Sequence, residues 1–159
     1  LASNIDGDEN TALGVYSAIG NTSGSNNTII GAYANSFNEE GSNNTIIGYS
    51  AGSGTAFHNK SGSVFIGYSA GENETTDNKL YIENSNSSSP LIYGEFDNNN
   101  LTFNTNADGN EGKVTINDII NIKPRSSAPS SPQEGDIYIN ANDNHIYCYL
   151  NSNWIQLDN

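Results

Sequence analysis

Short apolar runs alternate with clusters of Gly, Asn and Ser along the first half of the chain. Four runs share one outline, in which a Gly and a few polar residues lead into a three-residue strand-like segment that a second Gly closes. The four are Gly7–Gly14, Gly24–Gly31, Gly41–Gly48 and Gly62–Gly67, and their closing glycines are 17, 17 and 19 residues apart. This period is too short for a two-helix repeat and typical of one coil of a β-solenoid. The pattern therefore predicts a parallel β-roll over residues 1–78.

Each strand-like segment carries apolar or β-branched residues on both faces. Period-two alternation puts the first and third residues of a segment on one face, and we expect these columns to point into the roll. The two columns are Thr11, Thr28, Thr45 and Val64, and Leu13, Ile30, Ile47 and Ile66. The middle residues, which then form an outer apolar face, are Ala12, Ile29, Ile46 and Phe65. Because a strand that is apolar on both faces needs cover on both, we expect symmetric self-association.

The repeats resemble those of a known class of surface proteins. The runs Asn27–Ala34 and Ser63–Gly71 are similar to the head repeats of trimeric autotransporter adhesins. They resemble still more the related repeats of phage tail fibres and of tail-fibre-like bacterial surface proteins. These families form homotrimers whose left-handed parallel β-rolls pack side by side around a threefold axis. The resemblance covers roughly half of the chain and implies that fold and that assembly here.

Residues 79–123 form a connector that also resembles the segment following such repeats. Three short strand-like runs, Asp77–Asn84, Pro90–Phe96 and Leu101–Asn104, follow the repeats and are separated by turn-forming residues. A further strand or two is expected within residues 114–122, unless Asn117 and Asp118 interrupt the run. The resemblance implies that the connector strands are interwoven between chains.

The end of the chain consists of a linker and a small terminal module. Residues 124–134 contain three of the four prolines and are expected to be extended. Residues 135–159 predict a three-stranded antiparallel meander with two tight turns. The lead-in Pro132–Tyr138 and the closing Trp154 resemble small C-terminal modules of phage tail proteins.

Composition supports a strand-rich fold and excludes several partners. The chain has 28 Asn, 20 Ser and 16 Gly, which favour turns over helices. A net charge of −13 repels nucleic acid and anionic membranes, and no apolar stretch approaches the ~20 residues of a membrane span. We therefore expect neither a nucleic acid partner nor membrane insertion. The lone Cys148 forms no internal disulfide and lacks the companions of a zinc site.

Alternation in the meander separates an aliphatic face from an aromatic and polar one. The candidate ligand-binding residues, on the second face and its adjoining turn, are Tyr138, Asn144, His145, Tyr147, Tyr149 and Trp154. Tyr and Trp rings suit the flat C–H faces of sugars, while the polar side chains suit their hydroxyls. The alternative is that these aromatics pack at a trimer interface. A second aromatic column, repeated along the roll, consists of Tyr16, Tyr33, Tyr49 and Tyr68.

Metal and catalytic chemistry find little support. Asp6, Asp8 and Glu9 are weak candidates for Ca²⁺, but their spacing is not that of a calcium loop and a solvated corner is the better interpretation. No cofactor is expected. His58 and His145 are the only histidines and no nucleophile motif occurs, so we expect no enzyme, with a polysaccharide-degrading tail spike as a lesser alternative. Ice binding by the Thr column is another, disfavoured by the expected inward orientation of that column.

The whole chain is thus expected to be all-β: a homotrimeric left-handed parallel β-roll of about 17-residue repeats, then interwoven strands, then a small antiparallel meander. The resemblance implies an extracellular adhesin on a bacterial surface, a phage or a phage-tail-like particle. Such a protein recognises cell-surface receptors, with glycans or polysaccharides favoured here. The alternative is a structural spacer in a fibre that binds nothing itself.

Overall fold

The Gly-bounded runs form the first four strands of the protein. A computed structural model describes residues 1–103, 114–117 and 119–158. In it β1 (Thr11–Leu13), β2 (Thr28–Ile30), β3 (Thr45–Ile47) and β4 (Val64–Ile66) pair in parallel, each one coil further along the chain. Each residue lies beside its counterpart in the next repeat, as Ile29 lies beside Ile46. The prediction of a β-solenoid with about four coils is confirmed.

Glycine recurs at the end of each strand because successive coils approach closely there. Gly31 has a φ of 136°, and a Cβ at this position would lie only 2.2 Å from the carbonyl oxygen of Gly48 in the next coil. No larger residue fits such a backbone conformation and such an approach without a shift of the chain. The glycine spacing therefore sets the stacking of the coils.

The two faces of the roll are the reverse of those predicted. Ile29, Ile46 and Phe65 fill the interior with at most 1% of their surface exposed, whereas Leu13 is 66% exposed. A three-residue strand presents two side chains to one face and one to the other. The interior accepts only the single middle residue, packed against a column of small residues, Ala18, Ala34, Ala51 and Ala70. Alternation grouped the residues correctly, but with both faces apolar it did not determine which face points inward.

Buried asparagines hold the coils together beside this core. The amide of Asn27 donates to Oδ1 of Asn10 at 3.0 Å, and that of Asn44 donates to Oδ1 of Asn27 at the same distance. Oδ1 of Asn44 in turn accepts the backbone N–H of Ser63 at 3.0 Å. The ladder pairs polar groups that would otherwise be buried without partners, since Asn44 is only 1% exposed.

Three more strands extend the sheet beyond the solenoid. β5 (Lys79–Ile82) stacks in parallel on β4 as a fifth rung, and β6 (Ile92–Glu95) and β7 (Asn100–Phe103) follow in antiparallel order. The three strand-like runs of the connector are thus confirmed as strands. The further strand expected within residues 114–122 is absent from the described positions 114–117 and 119–122, where Asn117 interrupts the β-branched residues.

The contacts divide the chain into two units, Leu1–Val114 and Thr115–Asn159. The second unit contains β8 (Ile137–Ile139), β9 (Ile146–Leu150) and β10 (Asn153–Gln156), paired antiparallel in the order β10-β9-β8. The predicted three-stranded meander is confirmed. Among the described residues of the chain there is no helix, so the fold is all-β as expected.

Candidate functional site

The aromatic side chains of the meander form one cluster. Cross-strand pairing sets Tyr138 opposite Tyr147 and Tyr149 opposite Trp154. The ring of Tyr138 is stacked on Tyr147 with centroids 5.4 Å apart and meets Trp154 edge-on at 4.7 Å. The ring of Tyr149 lies 5.2 Å from that of Trp154. Four of the six predicted ligand residues are therefore brought together on one sheet face, as their shared parity indicated.

The cluster combines one buried ring with three half-buried ones. Tyr138 is 7% exposed and lies at the centre, whereas Tyr147, Tyr149 and Trp154 keep part of their surface open to solvent. The hydroxyl of Tyr147 donates to Oδ2 of Asp143 at 3.0 Å. This bond raises the pKa of the Tyr147 phenol, so the group stays protonated and fixed at neutral pH. The three partly open rings form the accessible part of the cluster.

The other two predicted ligand residues lie in the turn before β9. Asn144 is exposed and has a positive φ of 63°, which identifies it as a turn residue. Nδ1 of His145 lies 3.3 Å from Oδ1 of Asp158, and Asp158 also accepts the backbone N–H of Ile146 at 2.9 Å. The backbone bond, first among its causes, lowers the pKa of the Asp158 carboxyl. These polar groups tie the turn to the end of the chain.

The opposite face of the meander is aliphatic and largely open. Its exposed members are Ile137, Ile146, Leu150, Ile155 and Leu157. Cys148 lies among them as a free thiol that is only 8% exposed. Within one chain the aromatic face is thus the better covered of the two.

The outer face of the roll leaves a series of apolar side chains uncovered. Its two columns point away from the interior, and Ile30, Ile47 and Ile66 are each 36–37% exposed. The columns continue across β5 and β7, where the outward residues Leu101 and Phe103 are exposed. Sequence reasoning named these columns but placed them inside, and so it missed the surface that they form.

A ladder of tyrosines runs beside this face. The centroids of Tyr16 and Tyr33 are 5.3 Å apart, those of Tyr33 and Tyr49 are 5.8 Å apart, and those of Tyr49 and Tyr68 are 5.6 Å apart. Tyr16 and Tyr33 are the second residues after their glycines, whereas Tyr49 and Tyr68 are the first. The rings keep one column despite this shift, so the predicted aromatic ladder is confirmed.

A polar cavity of about 200 Å³ opens where the solenoid ends. Residues 71–74, Tyr81 and residues 86–88 line it. Oε1 of Glu74 accepts the backbone N–H groups of Thr75 and Thr76 at 2.9 and 2.8 Å, and its Oε2 accepts the hydroxyl of Tyr81 at 3.1 Å. Burial opposes the ionisation of Glu74, but these hydrogen bonds outweigh it and lower the pKa of the carboxyl.

A fully buried lysine and a half-buried histidine form an ionisable pair in the third coil. Lys60 is fully buried, and its Nζ donates to the carbonyl oxygen of Gly52 and lies 2.9 Å from Nε2 of His58. Burial lowers the pKa of Lys60 to about 7, and burial together with the Lys60 charge lowers that of His58 to about 4. Sequence reasoning missed this pair, although one signal was present: Lys60 stands where the preceding coils have Gly24 and Gly41.

Metal ligands and membrane-spanning helices are not found in the described part of the chain. The structure there contains no group of three or more His, Cys, Asp or Glu side chains that could hold a metal ion. Asp6, Asp8 and Glu9, the weak calcium candidates, are therefore not gathered into such a group. None of the described residues belongs to a helix long and apolar enough to cross a membrane.

Comparison with known proteins gives no relative, since no family model, curated protein or solved structure matches the chain.

Proposed function

We propose that the chain is a homotrimeric receptor-binding protein, either an adhesin or the distal part of a tail fibre, that recognises cell-surface glycans. In the trimer, left-handed rolls pack side by side through their outer strand faces and the connector strands interweave between chains. The observation that carries the proposal is the uncovered apolar face, whose columns run along the roll and on to β7. Large contiguous apolar patches on soluble proteins mark interaction surfaces.

Self-association explains why both faces of each strand are apolar. The middle residue of each strand fills the interior of its own roll, and the outer two need cover from outside. A second copy of the same chain supplies a matching face, because every coil repeats the same columns in register. Closed symmetry around an axis then buries the face in every subunit without leaving one exposed.

Glycan recognition is supported by the partly open aromatic cluster of the meander. Tyr147, Tyr149 and Trp154 combine ring faces with polar edges, the combination that suits sugar rings and hydroxyls. Single sugar sites of this kind bind weakly, and three copies on one trimer gain avidity when they engage the same surface. The chain has a net charge of −13 and only five basic residues. This charge suits uncharged ligands in an extracellular setting and disfavours nucleic acid.

A binding role is favoured over a hydrolytic one. A general acid of a glycosidase needs a raised pKa, and Glu74, the carboxylate fixed in the polar cavity, has a lowered one. Its oxygens already accept hydrogen bonds from Thr75, Thr76 and Tyr81. We propose a binding role for the chain, without enzymatic activity or a cofactor, and Glu74 does not supply the acid that hydrolysis would need.

An array of glycans and bacterial polysaccharides tests the proposal. We expect the wild-type protein to bind a subset of the array, and Tyr147→Ala with Tyr149→Ala to reduce that binding at least tenfold without loss of β structure. Tyr149→Phe is the matched control, because it keeps the ring and should retain most of the binding. If the double variant binds as the wild type does, the meander is not the glycan site. A trimer that binds nothing on the array supports the fibre-spacer alternative instead.

Ice binding is a second candidate, and one observation favours it. The column Thr11, Thr28 and Thr45 points outward from a regular parallel sheet. An inward orientation of this column was the argument against ice binding, and the structure removes that argument. Ice binding needs this face open on a monomer, whereas the trimer buries it. A thermal hysteresis assay on the wild type and on Thr28→Lys therefore separates the two candidates. Hysteresis that Thr28→Lys abolishes supports ice binding, and no hysteresis excludes it.

A further inference from the structure

The polar cavity at the end of the solenoid arises from the way the repeat stops. The alanine of each coil is covered by the alanine of the next coil, as Ala51 is covered by Ala70. After Ala70 the chain forms β5 and then turns back at a Ser- and Asn-rich bend instead of completing another coil. The space that a fifth coil would fill is left open between residues 71–74 and 86–88.

The cavity presents several polar groups that are free to bind. The side chains of Asn73, Asn86 and Ser88 form no hydrogen bond with any described residue, although all three line or rim the opening. Amides and a hydroxyl can both donate and accept, which matches the hydroxyls of a sugar. By contrast, Ser87 and Glu74 are held in place by hydrogen bonds within their own loops.

The floor of the cavity is aromatic and rigid. The ring of Tyr81 meets Phe65 edge-on at 5.4 Å and Tyr93 edge-on at 5.4 Å, and only 7% of Tyr81 is exposed. Its hydroxyl is fixed by Glu74. A small apolar floor with a few convergent polar groups is the usual composition of a small-molecule site.

Charge restricts what can enter. Glu72 and Glu74 both line the cavity, and the lowered pKa of Glu74 keeps that carboxylate ionised at neutral pH. In a partly enclosed site two carboxylates repel an acidic ligand. A bare cation is poorly served as well, because Oε1 of Glu74 already accepts three donors from Thr75 and Thr76.

We propose that this cavity binds one sugar residue that carries no acid group. The inference rests on the proposed function in taking a glycan as the ligand, and it adds a site in the first unit, separate from the aromatic cluster of the meander. A single sugar residue in an open cavity has a dissociation constant on the order of millimolar, so the site contributes through avidity in the trimer.

The test is a titration of the isotope-labelled protein followed by NMR, which detects millimolar binding directly. The probes are D-glucose, D-galactose and N-acetylglucosamine, with D-glucuronic and D-galacturonic acids as acidic counterparts. We expect at least one neutral sugar to shift the side-chain amides of Asn73 and Asn86, and the acids to shift them at least tenfold less at equal concentration. Asn73→Ala with Asn86→Ala should remove the remaining shifts around the cavity, whereas Asn100→Ala, an exposed asparagine outside it, should not.

The outcomes separate this inference from the proposed function. Shifts at Asn73 and Asn86 without any binding on the glycan array support the cavity and count against the adhesin. The opposite outcome is array binding that the double variant Tyr147→Ala with Tyr149→Ala removes, while no neutral sugar shifts Asn73 or Asn86. That result overturns the cavity proposal and supports the adhesin. The cavity proposal is also overturned if CaCl₂ shifts the amide signals of Asn73 and Asn86 and none of the sugars does.

Discussion

The solenoid and the meander are both built from short strands with apolar residues on both faces, yet they bury those residues very differently. In the solenoid Ile46 and Phe65 are completely buried. In the meander the two most buried side chains, Tyr138 and Cys148, lie on opposite faces of the sheet and neither reaches zero exposure. Coils that wind around one axis enclose a common interior, whereas a single three-stranded sheet encloses nothing.

The difference shows where a chain with few apolar residues can obtain stability. The apolar interior contains only a few large side chains, Ile29, Ile46 and Phe65, but stacking buries each of them fully and adds an asparagine ladder beside them. The meander depends on ring contacts among partly open aromatics. We therefore expect the first unit to be stable by its own core and the second to be sensitive to what covers its faces.

The largest effect should come from emptying the solenoid interior. Phe65→Ala removes a completely buried ring that contacts Tyr81, and should cost about 4 kcal/mol of the free energy of unfolding. Trp154 is the only tryptophan, so its fluorescence reports on the meander while far-UV circular dichroism reports on the whole chain. We expect the dichroism transition to shift to lower denaturant and the fluorescence transition to stay. Ile155→Ala in the meander is the control, and a joint shift of both transitions would contradict the contrast.

A second effect, opposite in sign, should come from the buried amine. Lys60→Met replaces a fully buried ionisable group by an apolar one of similar length and should stabilise the first unit by about 3 kcal/mol at neutral pH. The folded pKa of Lys60, about 7, lies below its ordinary value of 10.5, so protonation favours the unfolded chain.

The sign of the pH dependence follows from that lowered pKa. Wild-type stability should rise by up to roughly 1.4 kcal/mol per pH unit as the pH increases from 7 towards 10, and Lys60→Met should lack this increase. Denaturant titrations at pH 7, 8 and 9 measure both. Parallel pH profiles for the two proteins would show that Lys60 is not the titrating group.

The asparagine ladder should have the next largest effect. Asn44→Ala removes the hydrogen bonds to Asn27 and Ser63 inside the roll and leaves buried groups unpaired, at a cost of about 2 kcal/mol. Asn59→Ala, which removes two exposed hydrogen bonds with Glu40, should cost no more than about 0.5 kcal/mol. Chemical denaturation of both variants is the measurement, and equal costs would mean that the ladder adds no buried stabilisation.

The smallest effect should come from the exposed tyrosine ladder. Tyr49→Ala removes two ring contacts, with Tyr33 and Tyr68. It should lower the free energy of unfolding, measured by chemical denaturation, by about 1 kcal/mol. Tyr49→Phe keeps the ring and should change stability little. If Phe is as destabilising as Ala, the ladder acts through the hydroxyl and not through ring stacking.

Sequence reasoning identified the repeats, the strands of the connector and the meander, because glycine spacing and alternation are local signals. It failed where the outcome depends on space. Which face of β3 points inward is decided by the room left beside Ala34 and Ala51, and alternation contains no such information. The cavity beside Glu74 arises from residues that meet only when the chain is folded, and the burial of Lys60 likewise depends on the coil around it.

The asparagine ladder illustrates the same limit. A chain with 28 Asn offers no compositional reason to single out Asn27 or Asn44 as buried. Asn10, Asn27 and Asn44 follow one another at intervals of 17 residues, and this spacing produces a ladder only because the coils are in register. Repeated polar residues in a solenoid can therefore be structural when they recur at the coil period.

The most direct test of the account is the mass of the protein in solution, because the central claim is that the outer face of the roll is buried between copies of the chain. Multi-angle light scattering at micromolar concentration should give three times the 17.0 kDa mass of one chain. Ile47→Asp, which places a charge in the middle of the outer face, should give a monomer with its β structure retained, while Thr55→Asp at an exposed corner should remain a trimer. A wild-type protein that is a stable monomer would contradict the claim.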